Sequence, residues 1–247
     1  MDLPIYFISD NHFLLEKSSL EQERRKKLFN LFDYISNTGG TLIIGGDFFD
    51  FWLQSISSLP QDYNDILEAL QKLHSHNITI HYVMGNHDYW DFGALEKKCG
   101  CIVYKEDFEF KLDGQKILVT HGDGVLKNDS KYRLMKKIIR SKLFILLVRL
   151  VPISIMTTIA RKISDTKKKF DKNYPGLHKK HKDELSEFAF NKMKNENIDV
   201  LLMGHYHEIG IYKNNTKQFI HLGDWITKYT VTTLDEDKIW KQQKWQD

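Results

Sequence analysis

Short apolar runs alternate along the chain with amphipathic stretches, and the apolar runs tend to end in polar residues. "IYFIS" (5–9), "TLIIGGD" (41–47) and "ITIHYVMGNHD" (78–88) have the length and continuity of buried strands, and each leads to an acid, an amide or a histidine. Between them, Leu20, Leu28, Leu31, Phe32 and Ile35 recur near helical spacing and stop at Thr38-Gly39-Gly40. "YNDILEALQKLHSH" (63–76) has the same periodicity. Residues 5 to 88 therefore predict β-α-β-α-β, with polar residues gathered where strands end.

"FEFKLDGQKILVTHGD" (108–123) reads as two strands joined at Asp113-Gly114, a residue pair suited to a tight hairpin. Lys179 to Asn195 predicts an amphipathic helix, and "VLLMGHYH" (200–207) repeats the strand-then-histidine pattern. "GIYKN" (210–214) and "QFIHLGDW" (218–225) flank Asn214-Asn215 as a second hairpin, and residues 229–245 read as a final strand pair. With no internal repeat or low-complexity linker, the expectation is one mixed α/β domain. Its core is 1–126 with 179–247, and 127–178 is a helical insertion.

Composition adds little until charge is mapped along the chain. The 41% hydrophobic and 28% charged content over 247 residues is that of an ordinary globular protein. The net charge of +3 hides a division: residues 127–172 hold fourteen Lys or Arg against three Asp or Glu, while the rest holds 22 basic and 30 acidic residues. A basic module set into an acidic body points to an anionic partner. The N-terminus has no basic leader or long apolar stretch, so the protein is expected to stay where it is made. The uncharged run Leu150 to Ala160 is well short of the roughly 20 apolar residues that a spanning helix needs. Cys99 and Cys101 are expected to be reduced packing residues, which suits a reducing compartment.

Five strand ends carry the candidate chemistry: Asp10-Asn11-His12, Gly46-Asp47-Phe48-Phe49-Asp50, Gly85-Asn86-His87-Asp88, His121, and Gly204-His205-Tyr206-His207. Carboxylate, imidazole and amide oxygen are the mixed donors that suit Mn²⁺, Zn²⁺ or Fe²⁺. Residues i and i+2 of a strand point the same way, so Asp10 with His12, and His205 with His207, are expected to converge. One Asp-x-His alone is more often a turn, and a lone strand histidine more often a core residue. His74, His76, His81, His178, His181 and His221 lie outside the pattern and are assigned no role.

This ordered series resembles the calcineurin-like metallophosphoesterase superfamily. The resemblance implies an α/β fold, a four-layer α-β-β-α sandwich with the insertion as a helical lid. It implies two divalent ions, Mn²⁺ first and Zn²⁺ or Fe²⁺ next, for hydrolysis of a phosphate ester or anhydride. Asp10, His12, Asp47 and His207 would hold one ion; Asp47, Asn86, His121 and His205 the other. His87 would be catalytic, stabilising charge or protonating the leaving group, with Asp88 orienting it. Asp50 and Asp123 would lie outside the direct ligands, Asp50 orienting a histidine.

The insertion narrows the substrate. Leu143, Phe144, Leu146, Leu147, Leu150, Val151, Ile153, Ile155, Met156 and Ile159 are too many apolar residues for a solvated helix pair. A lid that only packs on the body, a nucleic-acid cap, a membrane-surface helix pair and a lid for lipid tails are the possible readings. Arg and Lys interleaved with aliphatics favour an interface with an anionic bilayer over a nucleic-acid groove. "HGDG" (121–124), Asn128-Asp129, Tyr132-Arg133, "RKIS" (161–164), Phe51-Trp52 and Tyr89-Trp90-Asp91-Phe92 resemble the UDP-2,3-diacylglucosamine hydrolases of lipid A synthesis. That resemblance implies cleavage of a pyrophosphate bond to give UMP and 2,3-diacylglucosamine 1-phosphate (lipid X). It also implies a cytoplasmic enzyme held at the face of the inner membrane, with neither nucleic acid nor an obligate protein partner. Arg133, Arg161, Ser164 and Lys168 are the expected substrate contacts. The chain departs from that branch at His87, where well-known members carry arginine. The alternative is a metallophosphoesterase acting on a soluble nucleotide or another phosphodiester.

Overall fold

A computed structural model describes residues 1–54, 59–152, 154–156, 158 and 177–246. A six-stranded sheet is formed by β1 (Ile5–Ile8), β2 (Thr41–Ile44), β3 (Thr79–Val83), β4 (Ile102–Tyr104), β10 (Thr230–Leu234) and β11 (Trp240–Lys244), ordered β11-β10-β1-β2-β3-β4. A five-stranded sheet is formed by β5 (Phe108–Leu112), β6 (Gln115–Thr120), β7 (Val200–Met203), β8 (Ile209–Asn214) and β9 (Lys217–Leu222), ordered β5-β6-β7-β9-β8.

Strand alternation builds the layers. Ile5, Phe7 and Ile43 of the first sheet meet Ile117, Val119, Val200, Leu202, Ile220 and Leu222 of the second in a dry core between the sheets. The opposite faces take helices. Tyr6, Ile8, Leu42 and Ile44 pack under α1 (Ser19–Thr38), α2 (Asn64–Ser75) and α3 (Ala94–Cys99). Leu118, Leu201, Met203 and Phe219 pack under Leu185, Ala189 and Met193 of a helix spanning Lys179–Asn195. The result is the expected four-layer α-β-β-α sandwich. Each fully buried aliphatic or aromatic side chain contributes about 1.5–3 kcal/mol, so the layers form a stiff base for whatever lies at their rim.

Local signals account for most boundaries. Ser18 caps α1 by accepting from the Glu21 amide at 3.3 Å, and Gly39, at φ 85°, ends it. Leu112 pairs with Gln115, so Asp113 (φ 49°) and Gly114 (φ 80°) form the two-residue hairpin turn. The second hairpin is displaced by one residue: Asn214 pairs with Lys217, and the turn is Asn215-Thr216. Two short elements were not expected, α3 and β4, which together hold Cys99 at a helix end and Cys101 beside a strand, both buried and free. The insertion contributes α4 (Ser130–Ile139) and α5 (Lys142–Leu150). To keep chain order, the helix over Lys179–Asn195 is α6.

Candidate metal centre

Strands β1, β2 and β3 are parallel, as are β6, β7 and β9, so their C-terminal ends open onto one rim. Strand alternation does not aim the donors. β1 ends at Ile8 and β7 at Met203, two residues before the first donor of each pair. Beyond the strands Asp10 (φ 53°), His12 (φ 44°), Asp47 (φ 51°), His205 (φ 65°) and His207 (φ 56°) all adopt left-handed backbone. This conformation is uncommon for residues with a Cβ, and persists where surrounding bonds over-determine it. Those bonds are present: the Asp10, His12 and Phe13 amides donate to the Gly46, Asp47 and Phe48 carbonyls at 3.0, 2.9 and 3.1 Å. Two glycines give the loops room. A Cβ on Gly85 would lie 2.1 Å from Asp47 Oδ1, and one on Gly204 would lie 2.3 Å from Ser9 Oγ.

The donors fall into two groups that share Asp47, and His12 and Asp47 also meet His87 in a third cluster. In the first, Asp10 Oδ1 lies 3.8 Å from His12 Nε2 and 3.7 Å from His207 Nε2, and His12 Nε2 lies 3.6 Å from Asp47 Oδ2. In the second, His121 Nε2 lies 3.3 Å from Asp47 Oδ2 and 3.1 Å from Asn86 Oδ1, with His205 completing the cluster. Donors set about 2.1 Å from one tetrahedral ion are about 3.4 Å apart, so all these spacings but the 3.1 Å of His121 and Asn86 suit a cation better than mutual hydrogen bonds.

The chemistry of the donors fits a cation too. Asp10 Oδ1 is buried and makes no hydrogen bond. His121 Nδ1 donates to the Gly45 carbonyl at 3.0 Å, which turns Nε2 toward the oxygens of Asp47 and Asn86. A lone pair facing two oxygens is repulsive unless a proton or a metal ion lies among them. Burial pulls the His121 pKa down, but Asp47 and Asp10 push it up to about 10, so the site draws in positive charge. Burial also opposes the charge on Asp47, yet His121 and His87 hold its carboxyl well below the usual range. Burial and the neighbouring His121 lower His205 to about 3, leaving it a neutral ligand. Metal binding to such a set replaces protons.

Around the donors, Asp50 Oδ1 lies 3.8 Å from His12 Nδ1. Asp224 has the same relation to His207, with Oδ2 3.8 Å from Nδ1, and is itself held by Lys228 Nζ at 2.9 Å. Burial opposes its charge, but His207 and Lys228 keep it ionised. Asp224 was missed because "QFIHLGDW" was taken only as hairpin; its Gly-Asp after a strand repeats the pattern at Gly46-Asp47. His87 Nδ1 donates to the Asp50 carbonyl at 2.6 Å, and its ring meets that of His12 edge-on at 4.7 Å.

Three expected site residues make other contacts in this structure. Asp88 does not orient His87: its oxygens accept from the Phe48 amide, the Gly85 amide and the Tyr82 hydroxyl at 2.9, 2.6 and 2.5 Å. It stitches the loops of Asp47 and Asn86 together, and burial with the Asp47 charge raises its pKa to about 6. Asp123 holds the insertion rather than a ligand, taking bonds from Tyr132 and Lys136, each at 2.8 Å, with Arg140 3.6 Å away. Arg133 turns back to the Gly124, Leu126 and Lys127 carbonyls, bracing the loop before α4. Arg161, Ser164 and Lys168 lie outside the described residues, as do Ile153 and Ile159.

The insertion docks on the loop that follows His87. Arg140 lies over Tyr89 at 4.0 Å, Arg149 over Phe92 at 4.5 Å, and Trp90 Nε1 donates to the Ile139 carbonyl at 3.3 Å. α5 buries Val148 and leaves Leu143, Leu146, Leu147 and Leu150 between 55% and 69% exposed. No helix among the described residues is long and apolar enough to cross a membrane.

Comparison with known proteins agrees with this geometry. The calcineurin-like phosphoesterase family matches over residues 3–209. A UDP-2,3-diacylglucosamine hydrolase of Pseudomonas entomophila (strain L48) is 26% identical over 94% of this chain and 95% of its own length. One from Blochmanniella pennsylvanica (strain BPEN) is 28% identical over 90% of this chain and 88% of its own. Similar solved structures include an archaeal phosphodiesterase, 14% identical with TM-score 0.47 over 97% of this chain and 98% of that one. Another is Yfce, a phosphoesterase from E. coli, 16% identical with TM-score 0.45 over 99% of this chain and 100% of that one. With five loops of the expected donor types meeting at one rim of the sandwich, and the family match spanning most of its length, the chain belongs to the calcineurin-like phosphoesterase family.

Proposed function

We propose that this protein hydrolyses the pyrophosphate bond of UDP-2,3-diacylglucosamine, releasing UMP and 2,3-diacylglucosamine 1-phosphate at the cytoplasmic face of a membrane. The observation that carries the reading is one juxtaposition. Two donor groups sharing Asp47 lie beside Asp123, where Lys136 of α4 and Arg140 at its end place cations, while the leucines of α5 face outward. A diphosphate joined to acyl chains needs both surfaces. The curated relatives of that name, alike over nearly their full length, support the same substrate.

Asp10, His12, Asp47 and His207 would hold one divalent ion, and Asp47, Asn86, His121 and His205 the second, with Mn²⁺ the first choice. Such a pair supplies Lewis acidity toward phosphoryl oxygens and lowers the pKa of water. The remaining work belongs to side chains. His87, its Nδ1 proton committed to the Asp50 carbonyl, exchanges protons at Nε2, and at 32% exposure it can reach the leaving oxygen. Lys136 and Arg140, lodged against Asp123, place positive charge beside His121. The leucines of α5 receive acyl chains and rest on the bilayer, where the basic residues of the insertion add attraction to anionic lipid.

Assay of the purified protein with Mn²⁺ and UDP-2,3-diacylglucosamine should release UMP, and EDTA should stop it. Equal turnover of a UDP-sugar without acyl chains would favour the soluble-nucleotide alternative, and absence of UMP would refute the reading.

A further inference from the structure

α1 contains a cluster of charges sealed from water: Glu21 and Arg24 are 0% exposed and Arg25 2%. Burying a guanidinium costs several kcal/mol, and a well-packed apolar side chain of similar volume is often as stable or more so. The positions of the Arg24 bonds indicate what this cost secures. Its terminal nitrogens donate to the carbonyls of Asn11 and His12, and to Glu21. Its Nε donates to the Trp225 carbonyl at 3.3 Å, and the Trp225 indole returns a bond to the Arg24 carbonyl at 3.1 Å. The Trp225 amide in turn donates to the Asp10 carbonyl at 3.2 Å.

One rigid fork therefore ties the loop that carries Asp10 and His12 to the loop that carries Asp224 and Trp225, and Asp224 stands behind His207. These are the members of the first donor group. Of the second group, Asn86 and His121 are carried by the loops after β3 and β6, while His205 shares the loop after β7 with His207 and its amide donates to Asp10 Oδ2 at 2.8 Å. Asp10 and His12 also hold left-handed backbone, which needs surroundings rigid enough to maintain it.

We propose that Arg24 is a positioning residue for one cation site, the one formed by Asp10, His12 and His207, and sets its affinity separately from that of the other. The inference rests on the two-ion reading given above.

The test uses Arg24→Lys, which keeps a cation beside Glu21 but replaces the planar fork with a single ammonium. Mn²⁺ binding is measured by titration calorimetry, and coupling between ions by electron paramagnetic resonance. The wild-type protein should take up two ions with a spin-coupled spectrum. Arg24→Lys should keep one ion at wild-type affinity and weaken the other about 10–100-fold, the usual effect of removing support behind a ligand. At one equivalent its spectrum should be that of an isolated ion. Arg25→Lys is the control, because Arg25 is buried on the same helix and shares Glu21 with Arg24, but its other bonds go to Leu14, Asp62 and Asp65 and none to Asn11, His12 or Trp225. It should lower the unfolding temperature and leave both ions unchanged. Should Arg24→Lys fail to fold, the Glu21→Gln/Arg24→Gln pair removes both charges together and is judged by the same split. Two ions of wild-type affinity in the Arg24 variant, or equal weakening of both sites by the Arg24 and Arg25 variants, would overturn the proposal alone. A wild-type protein that binds fewer than two ions would overturn the two-ion reading and this proposal with it.

Discussion

The rim of the sandwich and the inserted helices are adjacent but are built in opposite ways. At the rim, the donors Asp10, His12, Asp47 and His121 are buried to 3% exposure or less, and the first three sit on left-handed backbone clamped by main-chain bonds. On α5, leucines more than half exposed face solvent, and the helix is tied to the core through a few aromatic and cation contacts. Rigidity suits the rim, because phosphoryl chemistry needs several charges held at fixed spacing. Under the proposed function a looser apolar surface would suit the insertion, because acyl chains and bilayers have no fixed shape to match. The difference separates two questions, what bond is cut and whose bond it is.

The separation can be tested from both sides. Asp47→Ala removes the oxygen shared by both donor groups and should reduce hydrolysis of every phosphoester to background while circular dichroism stays native; retained turnover would mean the centre lies elsewhere. His87→Ala should lower kcat by about 10²–10⁴ without loss of bound metal, as expected for a proton-transfer group, and a metal assay separates this from a lost ligand. On the insertion, Leu146→Glu with Leu147→Glu should raise KM for the acylated substrate about tenfold or more, and leave turnover of a soluble UDP-sugar unchanged. Equal effects on both substrates would make the leucines mere packing.

The smallest effect concerns the joint between the two regions. Burial would raise the Asp123 carboxyl, but His121, Lys136 and Arg140 bring it from 3.8 down to about 2. A folded-state value below the unfolded one stabilises the protein above about pH 4, and the contribution is lost as pH falls toward 2. The stabilisation at neutral pH is about 2 kcal/mol. Asp123→Asn should therefore lower the unfolding temperature at pH 7 and narrow the gap from wild type as the solution is acidified; a constant gap would show that the charge is not what holds α4.

The donor set was legible because each donor follows an apolar run of strand length, and parallel strands must open onto one rim. The means of convergence was not legible. Period-two alternation suggested that Asp10 and His12 share a strand face, whereas backbone with positive φ brings them together; Asp, Asn and His tolerate that conformation better than most residues, but their presence does not fix which positions adopt it. Asp88 misled for a related reason: adjacency in sequence placed it beside His87, but its side chain turns inward to Tyr82 and two amides. The burial of Arg24 and Glu21 was not legible, since burial of a charged pair shows only when its distant partners, such as Trp225, are in place. The greasiness of the insertion was plain in composition, while which leucines face outward depended on how α5 docks against Trp90 and Phe92.

Gly85 has a consequence for mutational tolerance. The smallest possible side chain there would press against Asp47 Oδ1, an atom that also accepts the His87 amide at 2.9 Å. Gly85→Ala would thus displace the shared carboxylate and the loop bearing Asn86 while sparing every core layer. A loss of activity greater than the loss of stability is therefore the expected signature of Gly85→Ala, which a screen for stability alone would understate.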